Sequence, residues 1–210
     1  MPDISGFTSF INEVEVEHST HIISELLEII LESNSLGLKV SEIEGDAILF
    51  YNPGEAPSIK DLINQAEEMF MAFHHHLKFY KTNRICQCGA CSTAHNLSLK
   101  FIAHHGPLAV KLIKSHEKLF GPDVTLAHRL LKNNVNGKEY VLFTEHLLNA
   151  SGNIGEHKMF ENGQFKQGSA DYEGIGKVNY FYFSLDSRGL RINDLNKHRK
   201  RYTCFNKSSL

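Results

Sequence analysis

Two aspartates stand where they could act as a pair, Asp3 near the start of the chain and Asp46 about forty residues later. Asp46 follows Glu44-Gly45, a dipeptide that predicts the turn of a hairpin. If Asp3 ends one strand and Asp46 starts its neighbour, two carboxylates converge on one edge of a sheet. Paired carboxylates without histidine partners suit Mg²⁺ or Mn²⁺ and the phosphates those ions carry. The alternative is a helix cap at Asp3 and an ordinary turn residue at Asp46.

Such a carboxylate pair is compatible with phosphoryl chemistry. Two divalent ions ~3.5–4 Å apart can activate an attacking hydroxyl and neutralise a leaving pyrophosphate in an in-line displacement. The backbone amides of Ile4 to Phe7, which lead into a predicted helix, would add hydrogen-bond donors for phosphate oxygens.

Three of the four cysteines crowd into one short segment, and Cys204 stands alone. Cys88 and Cys91 have the spacing of a zinc knuckle, and Cys86 and His95 would complete four ligands. The run His74-His75-His76 on the preceding helix is a further source of ligands, although such runs are usually solvated. Structural zinc, loop thiols without metal and a redox role all stay open for this segment.

Hydrophobic periodicity predicts the elements that position these groups. Apolar residues from Ile22 to Leu31 follow a helical period that Gly37 stops, and a second amphipathic helix begins at Ser58. Met1 to Ile4 is too short to be predicted as a strand. Strands are predicted over 38–43, 46–51, 97–103, 108–113, 139–143 and 178–185, with a helix over 124–131 and a polar loop over 86–96.

Strands and helices therefore interleave, which predicts an α+β sandwich with a mostly antiparallel sheet covered by helices. The 210 residues suffice for one well-buried core, and we expect one domain over 1–185, with a Cys-rich insertion at 84–96 and a polar, basic tail at 186–210. A net charge of −2 gives no sign of a nucleic-acid or membrane-surface partner. Without a membrane-length apolar stretch or a signal-peptide pattern, and with clustered cysteines, the chain is expected to be cytoplasmic.

Four motifs resemble, in order along the chain, those of the catalytic domain of class III adenylate and guanylate cyclases. Residues 3–8, Asp-Ile-Ser-Gly-Phe-Thr, resemble the signature D-I-x-G-F-T, and residues 42–47 resemble the hairpin in which Gly-Asp follows a purine-selecting residue. Residues 101–106 look like G-I-H-x-G, and residues 121–130 look like G-x-x-V-N-x-A-x-R-L. The resemblance covers about residues 2–185. It implies a ferredoxin-like sandwich and a homodimer with two shared active sites.

The resemblance also implies roles for individual residues. The implied metal-binding residues, for two Mg²⁺ or Mn²⁺ per site, are Asp3, Ile4 and Asp46; the nucleotide-binding residues are Gly6, Phe7, Thr8, Glu42 and Lys118; the catalytic residues are Thr125 and Arg129. Glu42 takes the purine-selecting position, where a carboxylate accepts hydrogen bonds from two donors of guanine that adenine lacks. Lys118 would donate to guanine O6, or else Glu42 and Lys118 pair with each other.

We therefore expect metal-dependent cyclisation of a purine nucleoside triphosphate to a 3′,5′-cyclic nucleotide, with GTP favoured over ATP. Two positions depart from the family's pattern, because Thr125 replaces an asparagine and Glu173, with Lys177 close by, replaces a phosphate-binding lysine. These losses act on the transition state more than on nucleotide binding. A second hypothesis is accordingly a non-catalytic module that binds nucleotide or a partner, and a third is a zinc-stabilised scaffold.

Overall fold

The computed structural model describes residues 1–82, 88–151 and 165–185, and strands and helices alternate along them. The strands are β1 (Pro2–Ser5), β2 (Lys39–Glu44), β3 (Ala47–Tyr51), β4 (Ser98–Ala103), β5 (Ala109–Ile113), β6 (His116–Phe120), β7 (Tyr140–Thr144), β8 (Lys166–Tyr172) and β9 (Gly176–Ser184). The helices are α1 (Phe7–Glu13), α2 (Val16–Glu32), α3 (Ile59–Thr82), α4 (Gly89–Thr93), α5 (Pro122–Arg129) and α6 (Glu145–Ala150), and a 3₁₀ turn spans Ala94–Asn96. No helix within these ranges is both long enough and apolar enough to cross a membrane.

Seven strands form one sheet in the order β2-β3-β1-β4-β7-β9-β8, and β5 pairs with β6 in a separate hairpin. Neighbouring strands of the large sheet run antiparallel except β4 and β7, which are parallel. The predicted α+β class with a mostly antiparallel sheet is confirmed.

The expectation that the first residues form no strand is wrong. Pro2–Ser5 is β1, and it lies between β3 and β4 in the interior of the sheet. Four residues suffice because both edges of the strand are paired, and because the Ile4 side chain is fully buried in the core. Sequence periodicity cannot detect a strand of this length, since two alternations carry too little pattern.

The two faces of the sheet carry separate apolar clusters. One face packs against α1 to α4 and α6 through residues that include Ile48, Phe73 and Phe143. The other face packs against α5, where Leu126 and Leu130 are buried. Because side chains alternate along each strand, successive side chains enter the two cores. The polar groups described below lie at the ends of β1, β3 and β4.

The segment predicted as a polar loop over 86–96 is, within its described part, a structural element. Residues 89–96 form α4 and the 3₁₀ turn, which pack against α1, α2 and α3. Ala90 and Ala94 are fully buried, because an alanine side chain lets the short helix approach its neighbours closely. Two elements of one or two turns show no usable period, which is why sequence analysis missed them, together with β6, β8 and α6. Residues 84–87 of the predicted insertion and the tail 186–210 lie outside the described residues.

Candidate functional site

Asp3 sits at the centre of the sheet and is paired with a lysine. It lies on β1 opposite Ala47 of β3 on one side and Lys100 of β4 on the other. The Lys100 Nζ lies 3.0 Å from Asp3 Oδ2, and the same ammonium donates to the Leu131 carbonyl at 3.1 Å. Lys100 was not predicted as a site residue. The signal that could have identified it is a single charged residue in the otherwise uncharged run 97–103.

Asp46 is presented beside Asp3 by the turn between β2 and β3. The pairing of Glu44 with Ala47 leaves Gly45 and Asp46 as the two turn residues, and Gly45 has a φ of 60°. A left-handed first turn residue is typical of a type II′ hairpin, which glycine adopts without steric cost. The Asp46 carbonyl accepts a hydrogen bond of 3.0 Å from the Ile4 N–H, so the turn is fixed directly against β1.

The charges around these aspartates suit a divalent cation. Burial raises the pKa of the Asp46 carboxyl, and the neighbouring Asp3 carboxylate raises it further. Two carboxylates and one lysine leave a net charge of about −1, so a cation near Asp46 would relieve the repulsion. The donor set of carboxylate oxygens fits Mg²⁺ or Mn²⁺. A second ion on Asp3 would have to displace the Lys100 ammonium, so the fit is good for one ion and poorer for two.

The other residues of the first motif take different positions. The Ile4 side chain is fully buried and its N–H is taken by Asp46, so that amide is not available to a phosphate. This corrects one of the predicted donors. Gly6 has a φ of 92° and its carbonyl accepts from the Phe10 N–H, while Phe7 packs on the core and Thr8 is exposed at the start of α1.

Glu42 and Lys118 face each other within one chain. The Lys118 Nζ lies 3.9 Å from Glu42 Oε2, so the two residues form a loose ion pair with each other, which is the second of the two alternatives for them. His128 of α5 is closer, with its Nε2 3.3 Å from Glu42 and its Nδ1 3.4 Å from Glu44. His128 was missed, although it lies between Thr125 and Arg129 in a motif that sequence analysis singled out.

The two predicted catalytic residues lie on the exposed surface of α5. The Thr125 hydroxyl donates at 3.5 Å to the Gly121 carbonyl in its own helix. The Arg129 guanidinium donates to the Glu173 carbonyl in the turn between β8 and β9. Glu173 and Lys177 are both exposed there, with Lys177 opposite Asp171 in the strand register. Among the described residues, no ion pair links this group with the Asp3–Asp46 pair.

His104, in the third motif, ties three elements together. Its side chain is 4% exposed; Nε2 lies 2.9 Å from Asp123 Oδ1, and Nδ1 lies 2.8 Å from Thr144 Oγ1. Because the carboxylate can only accept, Nε2 carries the proton and Nδ1 accepts from the Thr144 hydroxyl. A Cβ at Gly106 would come within 2.2 Å of the Asp123 side chain, so the motif glycine makes room for this contact. Burial lowers the pKa of His104, and the Asp123 carboxylate opposes that shift.

A cavity of about 680 Å³ opens beside this histidine. It is lined by the ends of β3 and β4, the start of α5 and the apolar side of α3. His104 and Asp123 lie on its wall, whereas Asp3, Asp46 and Glu42 do not. The cavity is therefore distinct from the carboxylate pair.

The predicted zinc ligands are brought together only in part. Cys88 and Cys91 lie close together, and their ligand atoms are within 4.8 Å of His18 on α2. The predicted His95 is exposed in the 3₁₀ turn and belongs to no such cluster in the described part of the chain, and Cys86 lies outside that part. His74 and His76 are not simply solvated, because they pair with Glu139 at 2.6 Å and with Glu25 at 2.9 Å.

Comparison with known proteins identifies relatives of this chain. Residues 23–140 match the family described as "protein of unknown function (DUF2652)". The chain is 31% identical over 165 residues to "uncharacterized protein Rv2561/Rv2562" of Mycobacterium tuberculosis. The aligned region covers 77% of this chain and 73% of that protein.

Solved structures of similar fold are cyclases. The guanylyl cyclase Cya2 has a TM-score of 0.56 at 15% identity, covering 87% of this chain and 88% of its own. The adenylyl cyclase CyaB from P. aeruginosa has a TM-score of 0.55 at 15% identity, covering 87% and 90%. The guanylate cyclase domain of RhGC from Catenaria anguillulae, solved with GTP, has a TM-score of 0.53 at 18% identity, covering 87% and 92%. The chain thus belongs to the family described as "protein of unknown function (DUF2652)", and its fold is that of the class III adenylate and guanylate cyclase domains.

Proposed function

We propose that this chain binds a purine nucleoside triphosphate with a divalent cation and cyclises it to the 3′,5′-cyclic nucleotide. The observation that carries the proposal is the Asp3–Asp46 pair, held at the end of adjacent strands in the middle of a cyclase-type sheet. In the reaction, a bond forms between the ribose O3′ and the α-phosphorus, the bond from that phosphorus to the β-phosphate oxygen breaks, and pyrophosphate leaves. The hydroxyl proton passes to solvent.

The carboxylates of Asp3 and Asp46 would hold the cation, Mg²⁺ or Mn²⁺. When bound, such an ion offsets phosphate charge and makes the ribose hydroxyl easier to deprotonate. Lys100 lies beside them, and its ammonium already neutralises the charge of the Asp3 carboxylate, so a second ion is less strongly attracted. We therefore propose a carboxylate site in which Asp46 is the more accessible ligand.

Glu42 supports a preference for GTP over ATP. Its carboxylate lies 3.9 Å from the Lys118 ammonium and 3.3 Å from the His128 Nε2. Guanine offers two donors to a carboxylate on one edge, and adenine presents an acceptor at the equivalent ring nitrogen. Guanine can thus replace the histidine contact, whereas adenine would leave the carboxylate facing a lone pair.

A homodimer is the proposed functional unit. The hairpin of β5 and β6 projects apolar side chains into solvent, with Leu112 69% exposed and Ile113 52% exposed. Large apolar side chains grouped on one exposed hairpin are typical of an interaction surface. A second copy is the proposed occupant, because Thr125 and Arg129 are exposed and are not linked by ion pairs to Asp3 and Asp46 among the described residues. A shared site would bring such groups together from two chains.

A second candidate function is nucleotide binding without turnover. The specific observation that favours it is the Lys100 ammonium at 3.0 Å from Asp3, which occupies the oxygen that a second ion would need. The engagement of Arg129 with the Glu173 carbonyl and the lack of an asparagine at Thr125 point the same way. Without a free arginine and an asparagine at these positions, the transition state would be less well stabilised.

One experiment separates the candidates. The protein is incubated with GTP or ATP and Mn²⁺, cyclic nucleotide is quantified by mass spectrometry, and binding of non-cyclisable analogues is measured by calorimetry. Asp46→Asn is the test variant, and Asp171→Asn, an exposed aspartate on β8, is the matched control. Product that is lost in Asp46→Asn alone supports the cyclase. Binding of the analogues without product supports the second candidate, and a wild type that shows neither product nor binding contradicts both.

A further inference from the structure

A histidine and two cysteines meet on the side of the molecule where α2 and α4 pack together. The ligand atoms of His18, Cys88 and Cys91 all lie within 4.8 Å of one another. The His18 Nδ1 is 3.0 Å from the Cys88 Sγ. His18 is exposed and both cysteines are half-buried, so the cluster is reachable from solvent while its sulfur atoms are held by the fold.

The cysteines are positioned by the start of α4. Cys88 caps this helix, and its sulfur accepts a hydrogen bond of 3.4 Å from the Cys91 N–H. An N–H donor directed at a sulfur stabilises its thiolate form, which is the form that binds metal.

We propose that His18, Cys88 and Cys91 form a zinc site. Two thiolates and one imidazole are the donors that zinc prefers, and the Cys-x-x-Cys step lets both sulfurs reach one ion. In a tetrahedral site, sulfur and nitrogen ligands lie about 3.6 Å apart, and two sulfurs about 3.8 Å apart. The His18–Cys88 contact therefore opens by about half an ångström on binding. Three protein ligands leave one position for water or a further donor.

The position of His18 is what distinguishes a metal site from a cysteine pair that acts alone. A redox pair needs the two sulfurs, and nothing in that chemistry requires an imidazole with its nitrogen against Cys88. Zinc uses all three groups at once. The ion would also link α2 to α4, since His18 belongs to one helix and the two cysteines to the other. This site is independent of Asp3, Asp46 and nucleotide.

The test measures metal in the whole chain with its natural residues. Protein purified without a metal-affinity column and without chelator is analysed for its zinc content. Its affinity for zinc is then measured by competition with a chromophoric chelator. Cobalt is then substituted for zinc, since a tetrahedral thiolate site gives a charge-transfer band and intense visible absorption. The variants are His18→Gln, Cys88→Ser and Cys91→Ser, with His95→Gln as the matched control.

We expect about one zinc per chain in the wild type and in His95→Gln. His18→Gln should weaken zinc at least about tenfold and change the cobalt spectrum, and each cysteine variant should abolish tetrahedral binding. His18 is exposed, so His18→Gln should fold normally, which circular dichroism checks. Less than about a tenth of an equivalent of zinc in the wild type overturns the proposal. Equal affinity in His18→Gln and His95→Gln also overturns it, because the histidine would then not be a ligand.

Discussion

The Lys100 ammonium lies 3.0 Å from the Asp3 carboxylate on the neighbouring strand, so a fixed positive charge already stands beside the carboxylate pair. Asp3 is buried, and Lys100 is held from its other side by the Leu131 carbonyl. Removing one partner of such a pair leaves an uncompensated charge in a poorly solvated place. The lysine therefore bears on both the stability of the sheet and its affinity for cations.

Substitution of Lys100 by methionine should reveal this dual effect. We expect the free energy of unfolding at neutral pH to fall by about 2–4 kcal/mol, because Asp3 loses its partner. Mn²⁺ should then raise the melting temperature of the variant more than that of the wild type, since an ion can take the place of the ammonium. Thermal denaturation with and without Mn²⁺ measures both. Lys100→Arg retains the charge and should behave like the wild type. An equal Mn²⁺ effect on all three proteins would contradict the prediction that an ion can replace the ammonium.

Asp46→Asn should have the opposite effect on the apo protein. Loss of the carboxylate removes its repulsion with Asp3, so stability at neutral pH should rise slightly, by less than about 1 kcal/mol. The stabilisation by Mn²⁺ should disappear at the same time. Urea denaturation with and without the ion, with Asp171→Asn as the surface control, tests this. A retained Mn²⁺ effect in Asp46→Asn would remove the carboxylate site from the proposal.

Glu42 should decide which purine is bound. The wild type is expected to bind a GTP analogue about ten- to a hundredfold more tightly than an ATP analogue, because a carboxylate that faces a lone pair of the bound base costs about 1–3 kcal/mol. Glu42→Lys should remove or reverse that ratio. His128→Gln should keep the preference, since it removes only a competitor for the Glu42 carboxylate. Competition binding of the two analogues measures the ratio of their affinities. An unchanged ratio in Glu42→Lys would show that another group selects the base.

His104 should make the protein less stable in mild acid. Its pKa is lowered in the folded state, mainly by burial, so the unfolded chain binds the proton more readily. Stability should therefore be fully present above about pH 6.5, the value of an unperturbed histidine, and decline as the pH falls below it. The groups that face His104 are Asp123, Thr144, His105 and His146, and the two histidines act in the same direction as burial.

The control for this pH effect is His104→Gln, which cannot take up a proton. We expect it to lower the free energy of unfolding at pH 8 by about 1–3 kcal/mol, because the contacts with Asp123 and Thr144 are partly lost. The slope of stability between pH 5 and about pH 6.5 should become shallower than in the wild type. Urea denaturation across this range measures both quantities. An unchanged slope would mean that other histidines cause the acid sensitivity.

The elements that the sequence predicts correctly are those whose signal is local. The long helices α2 and α3, the hairpin of β2 and β3 and the α+β class follow from periodicity and turn residues within single segments. The cap of α3 is one example, since the Ser58 hydroxyl accepts from the Asp61 N–H and donates to its carboxylate as the spacing predicts. Elements of four to six residues, such as β1, α4 and α6, were missed because their stability comes from neighbours rather than from their own pattern.

The amino-acid sequence by itself thus determined which segments alternate, where the chain turns and which motif carries Asp3, Asp46 and Glu42. Only the tertiary structure decided which distant residues meet them. Lys100 reaches Asp3 through strand pairing across nearly a hundred residues, and His18 replaces the predicted His95 beside Cys88 because α2 packs on α4. Periodicity specifies the face on which a side chain lies, whereas contact between two faces depends on the register and packing of the whole core.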